Sequence, residues 1–138
     1  MYRTADELIA KAQELLKRRY EKDGHHVVVA AALKTTSGHI YAGLHVGTTQ
    51  PSIATCAEII TIGMAHTAEE HMEIDMIVAV RDPAAYIIAP CGKCREYIAD
   101  YGPNARVIMP DEQADSGYKI VPVCELLPDK YRKKTCDC

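Results

Sequence analysis

Two short motifs limit what this chain can fold into more than any other feature: Thr55-Cys56-Ala57-Glu58 and Pro90-Cys91-Gly92-Lys93-Cys94-Arg95. Each opens a segment of helical periodicity, so three thiols act together only in a fold that brings two helix N-termini to one place. The amides and positive dipole end of a helix start favour the charged sulfur, the form that binds a metal. The two-residue gap lets Cys91 and Cys94 reach one ion from a single turn, with Cys56 approaching from the other helix. Three protein ligands leave one tetrahedral position open, the mark of a catalytic Zn2+ site, where water loses a proton near neutral pH. Glu58 follows a ligand by two residues and can carry protons there without ligating. Three thiolates leave the site with an excess negative charge, so hydrogen bonds from the Arg95 guanidinium to a sulfur are expected to offset it.

Each feature has a plainer reading. A lone Cys-x-x-Cys also fits a redox pair or half of a closed zinc knuckle. The Cys-Ala-Glu at a second helix start, and the proline before Cys91, favour the open site. Cys136 and Cys138 are the rival ligands, but they sit in a charged tail and are read as exposed thiols. Cys124 is read as a core residue. His39, His66 and His71, at a strand opening or on or beyond a helix, are not assigned to the metal.

Around the motifs, Thr4-Ala5-Asp6-Glu7 has the form of a capping box before a helix carrying Leu8, Ile9, Leu15 and Leu16, with Gly24 as its stop. Residues 26–33 and 40–46 read as a β-hairpin about a turn at Lys34-Thr35-Thr36-Ser37-Gly38. A helix from Cys56 to about His71 is expected to bury Ile59, Ile60, Ile62 and Met64. Strands follow at 74–80 and 86–89, then a helix from Cys91 ending at Gly102-Pro103, then strands at 106–109 and 118–123. The order predicts an α/β fold with helices on both faces of the sheet. That sheet is expected to be mixed, because a hairpin is antiparallel and crossover helices imply parallel neighbours.

The 138 residues suit a single domain over 1–131 with a tail at 132–138. A net charge of −3 offers no footprint for nucleic acid. The absence of a signal-like N-terminus or a long apolar run predicts a cytoplasmic protein with no membrane contact.

These motifs resemble the cytidine deaminase superfamily, whose signature includes an all-cysteine variant and a non-ligating glutamate. The Ala-Ala-Leu strand, the Gly38 turn and Gly43 extend the similarity over most of the chain, toward the short three-cysteine branch. Glu125-Leu126-Leu127-Pro128 and Tyr131 look more like the blasticidin-S deaminase members. The resemblance implies a three-layer α-β-α fold, a homotetramer, and hydrolytic deamination of an aminated pyrimidine-like nucleoside, base or related heterocycle. Glu58 would move the protons, the Ala57 amide would hold a ring carbonyl, and Tyr131 would approach the ligand.

One stretch departs from the family pattern. Cytidine deaminases carry Asn-x-Glu at a strand end to grip ribose hydroxyls, where this chain has His45-Val46-Gly47; their upstream Phe aligns with Val27, beside His25 and His26. Losing both polar anchors is expected to weaken nucleoside recognition, so His45 and Val27 are the candidate replacements at the substrate. A second reading, a zinc-stabilised binding module of the same fold without turnover, differs in having no use for Glu58.

Overall fold

The run Ile74–Arg81 combines β-branched residues with almost continuous burial, and it forms the central strand of the sheet. The computed structural model describes residues 1–23 and 28–133, and for 20–23 the backbone alone. In chain order the elements are α1 (Tyr2–Asp23), β1 (Val29–Thr35), β2 (Ile40–Leu44), a 3-10 turn (Pro51–Ile53), α2 (Ala57–Ala68), β3 (Ile74–Arg81) and β4 (Tyr86–Ile88). They continue with α3 (Gly92–Tyr101), β5 (Arg106–Pro110), β6 (Tyr118–Pro122) and α4 (Val123–Leu126).

The sheet runs β2-β1-β3-β5-β6, with β4 also on β3. β3 and β5 are parallel and the other pairs antiparallel, so the sheet is mixed as expected. One edge of β3 is shared: Met76 and Ile77 pair with Arg106 and Val107 of β5, while Ala79, Val80 and Arg81 pair with Ile88, Ile87 and Tyr86 of β4. The segment through β4 and α3 is the crossover that a parallel pair requires.

Side chains alternate across the strands and divide the core in two. On one face Ala5, Leu8, Ala12 and Leu16 of α1 meet Ala30, Ala32, Met76, Val78, Val80, Ile108 and Tyr118. On the other, α2 and α3 bring Ile62, Ala65 and Ile98 onto Leu33, Ile77 and Val107. The result is the three-layer α-β-α arrangement. Gly43 lets α2 close on β2, since a Cβ there would lie 2.8 Å from Thr61 Oγ1.

Three local expectations are corrected. α1 begins at Tyr2, so Thr4 is no cap; Met1 O accepts the Ala5 N–H, and Asp6 accepts a 2.7 Å hydrogen bond from Tyr118 Oη. Met64 is 44% exposed, because the buried stripe of α2 is Ala57, Glu58, Thr61, Ile62 and Ala65. Cys124 is exposed, because Val123 is the residue of α4 turned inward. Gly24, His25, His26, Val27, Cys136 and Cys138 lie outside the described residues. No helix among those described is long and apolar enough to cross a membrane.

Candidate metal centre

Cys56 and Cys91 are the N-cap residues of α2 and α3, both in extended backbone, and neither helix start has a side-chain cap hydrogen bond. With no capping side chain at either start, the positive dipole ends of two helices meet at the sulfurs. Strand pairing fixes the approach. Val46 and Thr55 exchange backbone hydrogen bonds of 3.0 and 2.8 Å, which seats the residue before Cys56 against the continuation of β2. On the other side, the pairing of β4 with β3 delivers the chain to Pro90 and Cys91.

The sulfurs of Cys56 and Cys91 lie 3.8 Å apart and those of Cys91 and Cys94 3.5 Å, with all three within 4.8 Å of one another. Tetrahedral zinc with Zn–S bonds of about 2.3 Å places its sulfurs roughly 3.8 Å apart, so these residues fit the ion. The metal expected from the spacing has its three ligands assembled.

Glu58, only 4% exposed, shares a cavity of about 180 Å3 with Cys56 and Cys91. Val29, His45, Ala54, Thr55, Ala57, Ile88 and Ala89 complete its wall. Desolvation pushes the Glu58 carboxyl above the usual carboxylate range, against hydrogen bonds from its own backbone N–H and the Cys94 thiol. Burial likewise raises Cys56 and, most strongly, Cys94, with the Glu58 charge adding to the rise in Cys94. Cys91 is desolvated too, yet hydrogen bonds from the Cys94 backbone and thiol and from Cys56 hold it below the ordinary thiol range. A cation entering this cluster displaces protons from two raised thiols, so metal binding here is coupled to proton release.

The substrate-side expectations divide. Ala57 is fully buried and lines the cavity at the first turn of α2, where amides have no intrahelical acceptor. His45 lines it too; its backbone N–H donates to Val29 O at 2.9 Å, and its Nδ1 is buried without a hydrogen-bond partner. Val27 falls outside the described residues. Tyr131 is 80% exposed and borders a different cavity of about 430 Å3, with Asp100, Cys124 and Lys130. Within one chain the structure therefore does not bring Tyr131 to the cysteines.

Arg95 differs from expectation. Its guanidinium donates to Pro90 O at 2.9 Å and Leu126 O at 3.1 Å rather than to a sulfur. It acts on the metal-binding turn through the backbone, because two carbonyls lie within reach of a side chain leaving the first turn of α3. Sequence reasoning missed the apolar wall of Val29, Ile88 and Ala89. The one signal was that Ile88-Ala89 leads directly into Pro90-Cys91.

The family model described as the cytidine and deoxycytidylate deaminase zinc-binding region matches residues 2–110. Blasticidin-S deaminase of Bacillus cereus is 35% identical over 136 residues, covering 92% of this chain and 91% of that protein. A probable cytidine deaminase of Dictyostelium discoideum is 30% identical over 100 residues, covering 70% and 67%. Among solved structures, cytidine deaminase from Mycobacterium leprae superposes with a TM-score of 0.73 at 21% identity, covering 89% of this chain and 96% of that one. The Burkholderia pseudomallei cytidine deaminase gives 0.66 at 28% identity, covering 88% and 98%.

Proposed function

The chain belongs to the cytidine and deoxycytidylate deaminase zinc-binding family, and from that premise we propose that it hydrolyses the exocyclic amine of a single pyrimidine-like ring, taking up water and releasing ammonia. It is a zinc-dependent hydrolytic deaminase; the substrate is the proposed part. The observation that carries the reading is Glu58, a buried carboxylate in a small cavity beside three thiols at zinc spacing. A binding module has no use for that carboxylate, which desolvation penalises.

Zinc, when bound, supplies a Lewis acid beside which water loses a proton near neutral pH. Glu58 would take that proton and deliver it to the ring nitrogen as the water oxygen bonds to the amine-bearing carbon, then carry the proton left on that oxygen to the amine, so that the C–N bond breaks, ammonia leaves and a ring carbonyl remains. Its raised carboxyl suits both steps, since a group tuned toward neutrality accepts and returns protons readily. The Ala57 amide donates to a ring carbonyl and fixes the ring's orientation. A cavity of about 180 Å3 with walls of Val29, Ile88 and Ala89 suits one ring rather than two, lying below the usual range for drug-sized ligands.

His45 is the side chain that would read the ring's substituent. Its Nδ1 lacks a partner, and its Nε2 would sit 3.3 Å from a Cβ at Gly47, so Gly47 leaves the imidazole its room. A substrate held by one imidazole differs from one held by its ribose diol, and the blasticidin-S deaminase relative supports blasticidin S rather than cytidine as that substrate. Association of copies into a homotetramer is part of the proposal. Exposed Ile53, Val46 and Met64 support it, and Tyr131, exposed outside its own pocket, would then be free to serve a neighbouring one. Unpaired cysteines in such a site suit the reducing cytoplasm.

Ammonia release by the zinc-loaded chain over blasticidin S, cytidine, deoxycytidine, cytosine and guanine tests the reading. Turnover is expected on a substituted single ring, best on blasticidin S, and silence across every single-ring member contradicts it. His45→Ala is expected to raise KM about tenfold or more on the preferred substrate with kcat little changed, and to leave bare cytosine unaffected.

A further inference from the structure

The ties around α3 reach beyond the cavity. The Arg95 backbone N–H donates to Cys91 O at 3.0 Å, and its guanidinium holds the carbonyl of Pro90, the residue before the first ligand of the pair. The same guanidinium holds Leu126 O at the end of α4. Four residues on, Lys130 turns back to α3 and places Nζ 2.9 Å from both Glu96 Oε2 and Asp100 Oδ1. The Lys130 side chain is only 11% exposed although it carries a charge. Asp129, at φ 53, supplies the left-handed turn that sends Lys130 back, a conformation aspartate tolerates better than most residues. The segment 123–130 is thus fastened to the metal-bearing helix at its first turn and again from its middle to its last turn.

We propose that this C-terminal segment braces the metal site, with Arg95 as the pin and Lys130 as the clasp, so that both are positioning residues for Cys91 and Cys94. Two sulfurs from one helical turn hold an ion tightly only while that turn keeps its shape, and groups supporting ligands from behind commonly set metal affinity by an order of magnitude or more. A bound ion would hold the turn in front, and one guanidinium shared between Pro90 and Leu126 holds it behind. α4 is anchored at its start, where Val123 is buried and its N–H donates to Ala105 O at 2.9 Å; without the clasp its far end at Leu126 is released, and Arg95 loses the fixed acceptor that aims it at Pro90. Glu96 and Asp100, one helical turn apart, would then also repel each other across the vacated site.

The test uses the zinc-loaded full chain and reads metal release to a chromogenic chelator, together with the absorption bands of the cobalt-substituted protein. Lys130→Met is expected to speed zinc release about tenfold and to change the cobalt bands, while Lys130→Arg stays within about twofold of the unmodified chain. If Lys130→Met does not fold, Glu96→Gln with Asp100→Asn removes the same clasp from the other side and is expected to do the same. Release rates and cobalt spectra equal to those of the unmodified chain overturn the proposal, even where the melting temperature falls, because a merely structural clamp moves only the latter.

Discussion

The two faces of the sheet differ most at the end near the cysteines. Against α1 the space is filled by hydrocarbon: Leu8, Leu16, Met76, Val78, Val80 and Ile108 are all at or below 2% exposure. On the opposite face, at the end near the cysteines, the buried cluster is Ala31, Ala57 and Ala79. Ala57 lines the cavity directly, and Val29 and Ile88, which pack on the three alanines, form its wall beside Glu58, His45, Cys56 and Cys91. The α1 face is packed throughout, whereas the other face, packed around Leu33, Ile77 and Ile98 along most of its length, gives up packing at this end to hold a site.

Substitutions on each face would break or sharpen this contrast. Leu8→Ala removes a fully buried side chain from the α1 face and is expected to cost about 2–5 kcal/mol in denaturant unfolding, leaving zinc content and turnover of the folded fraction unchanged. Ala31→Leu, on the site face, is expected to cost about 1–3 kcal/mol through overpacking but to abolish ammonia release, since the added bulk pushes toward Val29, Ala57 and Ile88. If Leu8→Ala lost zinc, or Ala31→Leu kept full turnover, the division between the faces would be wrong.

A smaller effect concerns the polar tie on the α1 face. Burial, with the Asp6 carboxylate beside it, pushes the Tyr118 hydroxyl up to about 12. An acid whose folded value lies above its unfolded one, near 10, adds stability that is complete below pH 10 and lost as pH rises toward 12. Stability measured across that window is expected to fall more steeply for the unmodified chain than for Tyr118→Phe, and parallel curves would remove the tie from the account.

The sequence made the chemistry legible where neighbours in the chain are neighbours in space. Cys91 and Cys94 share a helical turn and Glu58 follows Cys56 by two residues, so spacing alone assembled most of the centre. Helical and strand periodicity likewise placed the elements, and the hairpin with a crossover implied a mixed sheet. What periodicity lacks is the identity of the partner. It counted Met64 with the apolar face of α2, yet the sheet is met by the stripe through Glu58 and Thr61. Charge balance, which the sequence shows, points Arg95 to a sulfur; the carbonyl of Leu126, brought back through β5 and β6, is visible only in the fold. The capping box failed for a similar reason: Asp6 faces Tyr118, 112 residues away. His45 needed the resemblance to be noticed, and its dependence on Gly47 needed the structure.

The central claim is that a buried carboxylate moves protons beside a zinc held by three cysteines. Glu58→Ala tests it most directly when ammonia release and bound zinc are measured on the same sample. Turnover is expected to fall by about two to four orders of magnitude while zinc stays near one per chain. Turnover that matches the unmodified chain at equal zinc content would contradict it.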